Sequence, residues 1–153
     1  MTQDQQFATL FPLGVGVVAF ACTIVIHAVA LFATVDLVRH ERKLGRAGTG
    51  ALIDLAIVSV ALTLAFVAHL VEIALWAALL IACGAFQAFG DAFYQSAVNY
   101  TTLGYGDVLM APSLRLLGPL EAANGVLMFG VSAAMVFAVI QRLLVTRYQD
   151  LKS

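Results

Sequence analysis

Three stretches of this 153-residue chain are long and apolar enough to cross a lipid bilayer, and no other feature narrows the fold as much. A crossing helix needs about 20 mostly apolar residues to traverse a hydrocarbon core of roughly 30 Å. The first stretch runs from about Pro12 to Leu37, with Asp36 as its first charge. The second covers residues 51–83 and is interrupted by Asp54, His69 and Glu72. The third runs from about Pro119 to Gln141, with Glu121 in its opening turn. Backbone N–H and C=O groups have no water to bond in lipid, so such segments close their bonds internally as helices. Composition agrees, with 62% hydrophobic and 11% charged residues, against about 45–50% and 25% in a soluble domain. That excludes a water-soluble fold and a disordered chain alike. A net charge of -1 leaves no basic field for nucleic acid. Cys22 and Cys83 each lie in an apolar run and read as buried filler, since two cysteines make neither a disulfide scaffold nor a four-ligand zinc site.

Basic residues give the orientation. Arg39, Arg42, Lys43 and Arg46, four of the eight Lys and Arg, fall between the first and second stretches. Arg142, Arg147 and Lys152 follow the third, and Arg115 alone lies between the second and third. Positive charge stays on the cytoplasmic side, so the first link and the C-terminus are expected inside, with the N-terminus and residues 84–118 outside. The opening MTQDQQ has no Lys or Arg and the apolar run that follows exceeds a signal h-region, so the first stretch is expected to be retained. A multi-pass protein of the cell membrane follows.

Residues 84–118 do not read as an ordinary loop. Gly90-Asp91 signals a helix start, with Asp91 as a capping acceptor, and a short helix over 91–101 is too short to span. Next comes TTLGYGD, Thr101 to Asp107, where glycine alternates with bulkier residues. Irregular backbone at membrane depth is tolerated only when enclosed in protein or lining a water-filled path. A re-entrant helix and strand is the physical solution.

The pattern Thr-x-Gly-Tyr-Gly-Asp at Thr102, Leu103, Gly104, Tyr105, Gly106 and Asp107, preceded by Thr101, resembles the signature of the potassium-channel pore family. Residues 51–142 look like the small bacterial channels that carry one pore loop between an outer and an inner helix. The resemblance implies an all-α membrane protein with a tetrameric pore: an outer helix over 51–83, a pore helix over 91–101, a filter strand over 102–107 and an inner helix over 119–146. Residues 1–50 add a further spanning helix and a basic link, and 147–153 form a short tail. By the same resemblance, the carbonyls of Thr102, Leu103, Gly104 and Tyr105, with the Thr102 hydroxyl, hold K⁺ ions, replacing their water shell. Gly104 and Gly106 permit the left-handed angles that turn consecutive carbonyls the same way. The ions are the only cofactor implied, and the partners are three further copies and membrane lipid.

Three positions depart from the family. Leu103 stands where Val or Ile is usual, which implies a changed packing cuff around the filter. Tyr94 and Gln95 hold the places of a tryptophan pair that supports the filter, and either could donate to Asp107. Thr101 completes the support expected from the loop itself.

Polar residues inside the spans carry the remaining expectations. Glu72 at bilayer depth costs about 2.5–3.5 kcal/mol on insertion scales, so it must face protein. With His69 three residues before it, Glu72 and His69 are expected to hydrogen-bond the back of the short helix, for example at Tyr94, Gln95 or Asn99; the other reading makes His69 a proton-sensitive gate. Glu121 follows Pro119 and either answers the helix dipole or supports the filter. Gly125 and Gly130 are candidate gating positions, or close-packing residues. His27 reads as packed and hydrogen-bonded. No span has an internal Arg or Lys, so steep voltage dependence is not expected, and no ligand-binding domain is expected after Arg142. No phosphate loop, ligand cluster or activated nucleophile points to an enzyme. The function expected is passive K⁺ conduction; a weakly selective cation pore and a non-conducting membrane subunit are the rivals.

Overall fold

The computed structural model describes residues 3–150. Among them are four helices: α1 (Gln3–Lys43), α2 (Ala51–Ala82), α3 (Phe89–Tyr100) and α4 (Leu117–Asp150). The chain is all-α, and no β-strand occurs among the described residues. Residues 103–106 are irregular, because a single extended segment has no neighbour with which to form a ladder.

α1, α2 and α4 each contain a candidate span, of 34, 32 and 32 residues. At 1.5 Å per residue each is roughly 50 Å long, which exceeds the hydrocarbon core, so tilt or protrusion is built in. α1 is longer than its apolar stretch at both ends. Upstream it passes through Pro12 and costs itself one backbone bond. Downstream it takes in the charged residues to Lys43, where His40, Arg42 and Lys43 oppose the negative end of the helix dipole.

α2 stops at Gly84, whose φ of +76° is open to glycine at no Cβ cost. Its amide bonds the Ile81 carbonyl at 2.8 Å, and the Ala85 amide reaches back to Leu80 at 2.9 Å. This paired closure is a Schellman cap, and it releases the chain toward α3. There the start differs from the sequence expectation. Ala88 is the N-cap, without a side-chain bond, and Asp91 lies inside the first turn. Its carboxylate therefore acts on the dipole and does not cap. α4 likewise begins two residues before Pro119, which leaves Glu121 beyond the first turn and overturns its reading as a dipole charge.

The chain forms two compact units. One comprises Met1–Ile26 and Leu70–Phe129. Its core gathers Ala19, Ile73, Trp76, Leu80, Tyr100, Leu117 and Met128. Lipid tails are as apolar as these side chains, so close packing and hydrogen bonds hold the helices more than apolar burial does. Gly16 lets Leu120 approach to 2.7 Å of where a Cβ would stand. Thr23 Oγ1 lies 3.0 Å from Asn124 Oδ1 and donates to the Phe20 carbonyl at 2.7 Å. The other unit comprises His27–His69 and Gly130–Ser153, with a core of Val38, Ala47, Ile57, Val139 and Leu143. There Asp54 Oδ2 accepts from Arg147 at 2.8 Å while its Oδ1 accepts the Gly48 amide at 2.8 Å. The link after α1 is thereby tied to the last turns of α4.

Candidate functional site

α3 leads directly into the TTLGYGD segment, and four amides there fold back on the end of the helix. Thr101 N bonds the Ala97 carbonyl at 3.1 Å and Thr102 N that of Asn99 at 2.9 Å. Leu103 N and Gly104 N share the Val98 carbonyl at 3.0 and 3.3 Å. The Thr101 hydroxyl adds a bond to the Ala97 carbonyl at 2.7 Å. The amides of Thr101 to Gly104 thus face α3. Among the described residues, no backbone hydrogen bond outside the helices ends on the carbonyls of Thr102, Leu103, Gly104 or Tyr105.

Every second residue here has a left-handed backbone: φ is +60° at Thr102, +60° at Gly104 and +72° at Gly106. Glycine takes these angles freely. Thr102 has a branched Cβ and is held there at a cost of about 1–3 kcal/mol, a feature that nothing in the sequence marks. Alternating hand turns successive peptide planes so that their carbonyls share one side. The side chains of Leu103 and Tyr105 are 54% and 67% exposed in the single chain.

Around this segment the structure builds a network of polar side chains on α3. The Tyr94 hydroxyl donates to Asp107 Oδ2 at 2.7 Å. That hydrogen bond, followed by burial and the carboxylate charge, raises the Tyr94 phenol above its ordinary range. Gln95, the other candidate for this bond, instead gives its Nε2 to Asn99 Oδ1 at 3.1 Å. Its buried Oε1 has no hydrogen-bond partner among the described residues. Ser96 Oγ meets the Ile73 carbonyl at 2.8 Å and also bonds Glu121 Oε1, while Asn99 Nδ2 donates to Glu121 Oε2 at 3.1 Å. Glu121 is fully buried and braces α3 through these two bonds.

Glu72 bonds α3, as expected, through a residue outside the three given as examples. Its Oε2 accepts the hydroxyl of Tyr100, the last residue of α3. His69 Nε2 lies 3.0 Å from Ser132 Oγ on α4. Both results have one cause. Side-chain spacing on α2 fixes which residues share a face, but which residue of a short neighbouring helix meets that face depends on its rotation, which spacing does not encode. Gly125 meets the Tyr100 carbonyl where a Cβ would stand, whereas Gly130 has open space. Close packing accounts for Gly125, then, and the structure gives Gly130 no such constraint.

Sequence reasoning passed over Tyr100, Ser96, Asn124, Thr23 and Ser132. Four of these are polar residues inside long apolar runs or beside them, and the desolvation cost of such groups is the signal that marks them. Tyr100 offers no such signal.

Residues 68–142 match a family model described as an ion channel. The matched stretch takes in α2 from Ala68, all of α3, the TTLGYGD segment and α4 as far as Arg142. α1 lies outside it. No curated protein and no solved structure matched the chain.

Proposed function

We propose that this chain is one subunit of a K⁺-selective channel in which four copies surround a single pore. One observation carries the reading: left-handed φ at Thr102, Gly104 and Gly106, in a segment whose amides from Thr101 to Gly104 bond α3 while no backbone bond outside the helices ends on the carbonyls of residues 102–105 among the described residues. A K⁺ ion leaving water needs its oxygen shell replaced, and stacked rings of carbonyl dipoles do this without a full charge. One segment cannot encircle an ion, so symmetry-related copies supply the ring, and the resemblance to potassium-channel pores sets the number at four. α3 then serves as pore helix, with its negative carboxyl end directed at the ion path. Tyr94 and Asp107 clamp the outer end of the filter, while Glu121 and Glu72 hold the pore helix. The basic link from Arg39 to Arg46 lies in the cytoplasm.

Purified protein in liposomes tests this. A potassium gradient should drive flux that Ba²⁺ blocks and that Thr102→Ala or Gly104→Ala abolishes. Equal Na⁺ and K⁺ flux would replace the reading by a weakly selective pore, in which Leu103 has loosened the cuff. A stable assembly that passes no ion would make the chain a non-conducting subunit.

A further inference from the structure

The last turns of α1 and the first turns of α2 leave a groove between them, within one of the two compact units. It holds about 430 Å³. Leu37 lines it from α1, and apolar side chains of α2 line it from Leu52 to Val60, a run of about 12 Å at 1.5 Å per residue. Two charged residues complete the lining: Glu41 on α1 and Arg46 in the link. By chain order the charges lie toward the link, and the apolar floor runs away from it along the helices. The Arg46 side chain is 61% exposed, and its Nη1 lies 4.0 Å from Glu41 Oε2. That is too long for a hydrogen bond, so the guanidinium keeps its donors for another acceptor. From Asp36 to Arg46 the chain carries four basic residues against two acidic ones. The whole groove lies outside the stretch 68–142 that matches the ion-channel family.

An apolar trough with a positive mouth, at the ends of two spanning helices, suits an amphiphile with a negative head. We propose that this groove binds one anionic phospholipid of the surrounding bilayer, with an acyl chain along α2 from Leu52 to Val60 and the phosphate on the Arg46 guanidinium. Charge decides the occupant. A neutral lipid would leave the surplus of positive charge unanswered, and a free anion would leave the trough empty. The planar guanidinium fork matches two phosphate oxygens at once, and basic clusters beside spanning helices draw anionic headgroups. Glu41 opposes the phosphate, but Arg42 and Lys43, the next two residues, outnumber it. The site also has a mechanical consequence. Ile53 lines the groove, and the adjacent Asp54 accepts both the Gly48 amide and Arg147 of α4. A seated lipid therefore stiffens the corner that ties the link to the last turns of α4. The proposal needs α1 and α2 in a bilayer and does not depend on the channel reading.

Native mass spectrometry of the purified protein in a non-ionic detergent reads the site directly, with phosphatidylglycerol or phosphatidylcholine of matched acyl chains added. Phosphatidylglycerol is expected to bind about tenfold more tightly. Arg46→Gln should weaken it about fivefold, the worth of one cation near a charged headgroup, and leave phosphatidylcholine unchanged. Ala56→Trp, at an exposed position that lines the groove, should fill the trough and weaken both lipids. Phosphatidylglycerol should also raise the unfolding temperature of wild type, and raise that of Arg46→Gln less. Equal binding of the two lipids would overturn the site, as would a preference that survives Arg46→Gln. Glycerol phosphate competing as well as the whole lipid would make it a free-anion site and overturn the proposal. So would an Ala56→Trp protein that binds both lipids as before but changes the number of chains in the particle, since the groove would then be a seam between copies.

Discussion

Gly125 and Gly130 lie five positions apart on α4, yet a methyl group would meet opposite surroundings at each. At Gly125 it would overlap the Tyr100 carbonyl, while at Gly130 nothing stands within 4 Å. Gly125→Ala is therefore expected to destabilise the fold by about 1–3 kcal/mol, the usual range for overpacking. Gly130→Ala should leave thermal unfolding in detergent unchanged. Equal melting of both variants would remove Gly125 as a contact point. Tyr94 gives a prediction with a sign. Its raised phenol means that the folded state holds the proton more firmly than a free tyrosine, whose ordinary value is about 10. The contribution of the bond to Asp107 is then complete below that value and disappears as pH rises through the raised one. Spectrophotometric titration of the four tyrosines should show one phenol ionising at lower pH in Asp107→Asn than in wild type. An unchanged curve would mean that Tyr94 does not donate to Asp107. Much of this scale was legible in the chain: the conformational role of glycine at 104 and 106 follows from residue type, and a donor for Asp107 from the resemblance to potassium-channel pores. The angle at Thr102 did not, because a β-branched residue carries no mark of being held in a conformation it resists.

At the scale of the element, α3 is fixed by bonds along its length: Tyr94 to Asp107, Ser96 to Ile73, Ser96 and Asn99 to Glu121, and Tyr100 to Glu72. Glu121→Ala would leave the Asn99 amide without its acceptor, at about 1–3 kcal/mol, while the Ser96 hydroxyl keeps the Ile73 carbonyl. Glu121→Gln keeps one carbonyl oxygen and should lose less. Unfolding midpoints in a denaturing detergent would rank wild type above Gln above Ala; Ala equal to wild type would deny the brace. Both carboxylates were recognisable from their cost in lipid, but their partners were not, since a partner depends on how α3 is rotated. α1 was the least legible element. Its buried line runs through Pro12, Gly16, Ala19, Thr23, His27, Thr34 and Val38, one residue every three or four except for a single gap of two turns. An apolar helix that faces lipid is hydrophobic on all sides, so no stripe distinguishes this line. Only Thr23, His27 and Thr34, polar residues at helical spacing, outlined it.

For the whole molecule, the spanning windows of α1, α2 and α4 are only 22%, 22% and 33% buried within one chain. Lipid can cover those helices, because their backbone groups are already bonded. It cannot cover the carbonyls of residues 102–105, which cost several kcal/mol each when unmet in hydrocarbon. Either water or other copies must face them, and four copies that strip water from an ion do both at once. That reading has a thermodynamic consequence open to measurement before any current is recorded. An ion that binds the assembled rings and not the separated chains stabilises the assembly by mass action, in proportion to the logarithm of its concentration over its dissociation constant. Native mass spectrometry should therefore find a particle of four times the 16.2 kDa chain mass. Its dissociation temperature should be higher in K⁺ than in Na⁺ at equal ionic strength. Thr102→Ala, which deletes a hydroxyl ligand and frees the strained angle, should narrow that difference while Gly130→Ala leaves it intact. A particle of any other size, or one whose heat stability ignores the choice of cation, would mean that these carbonyls do not form a shared dehydrating ring.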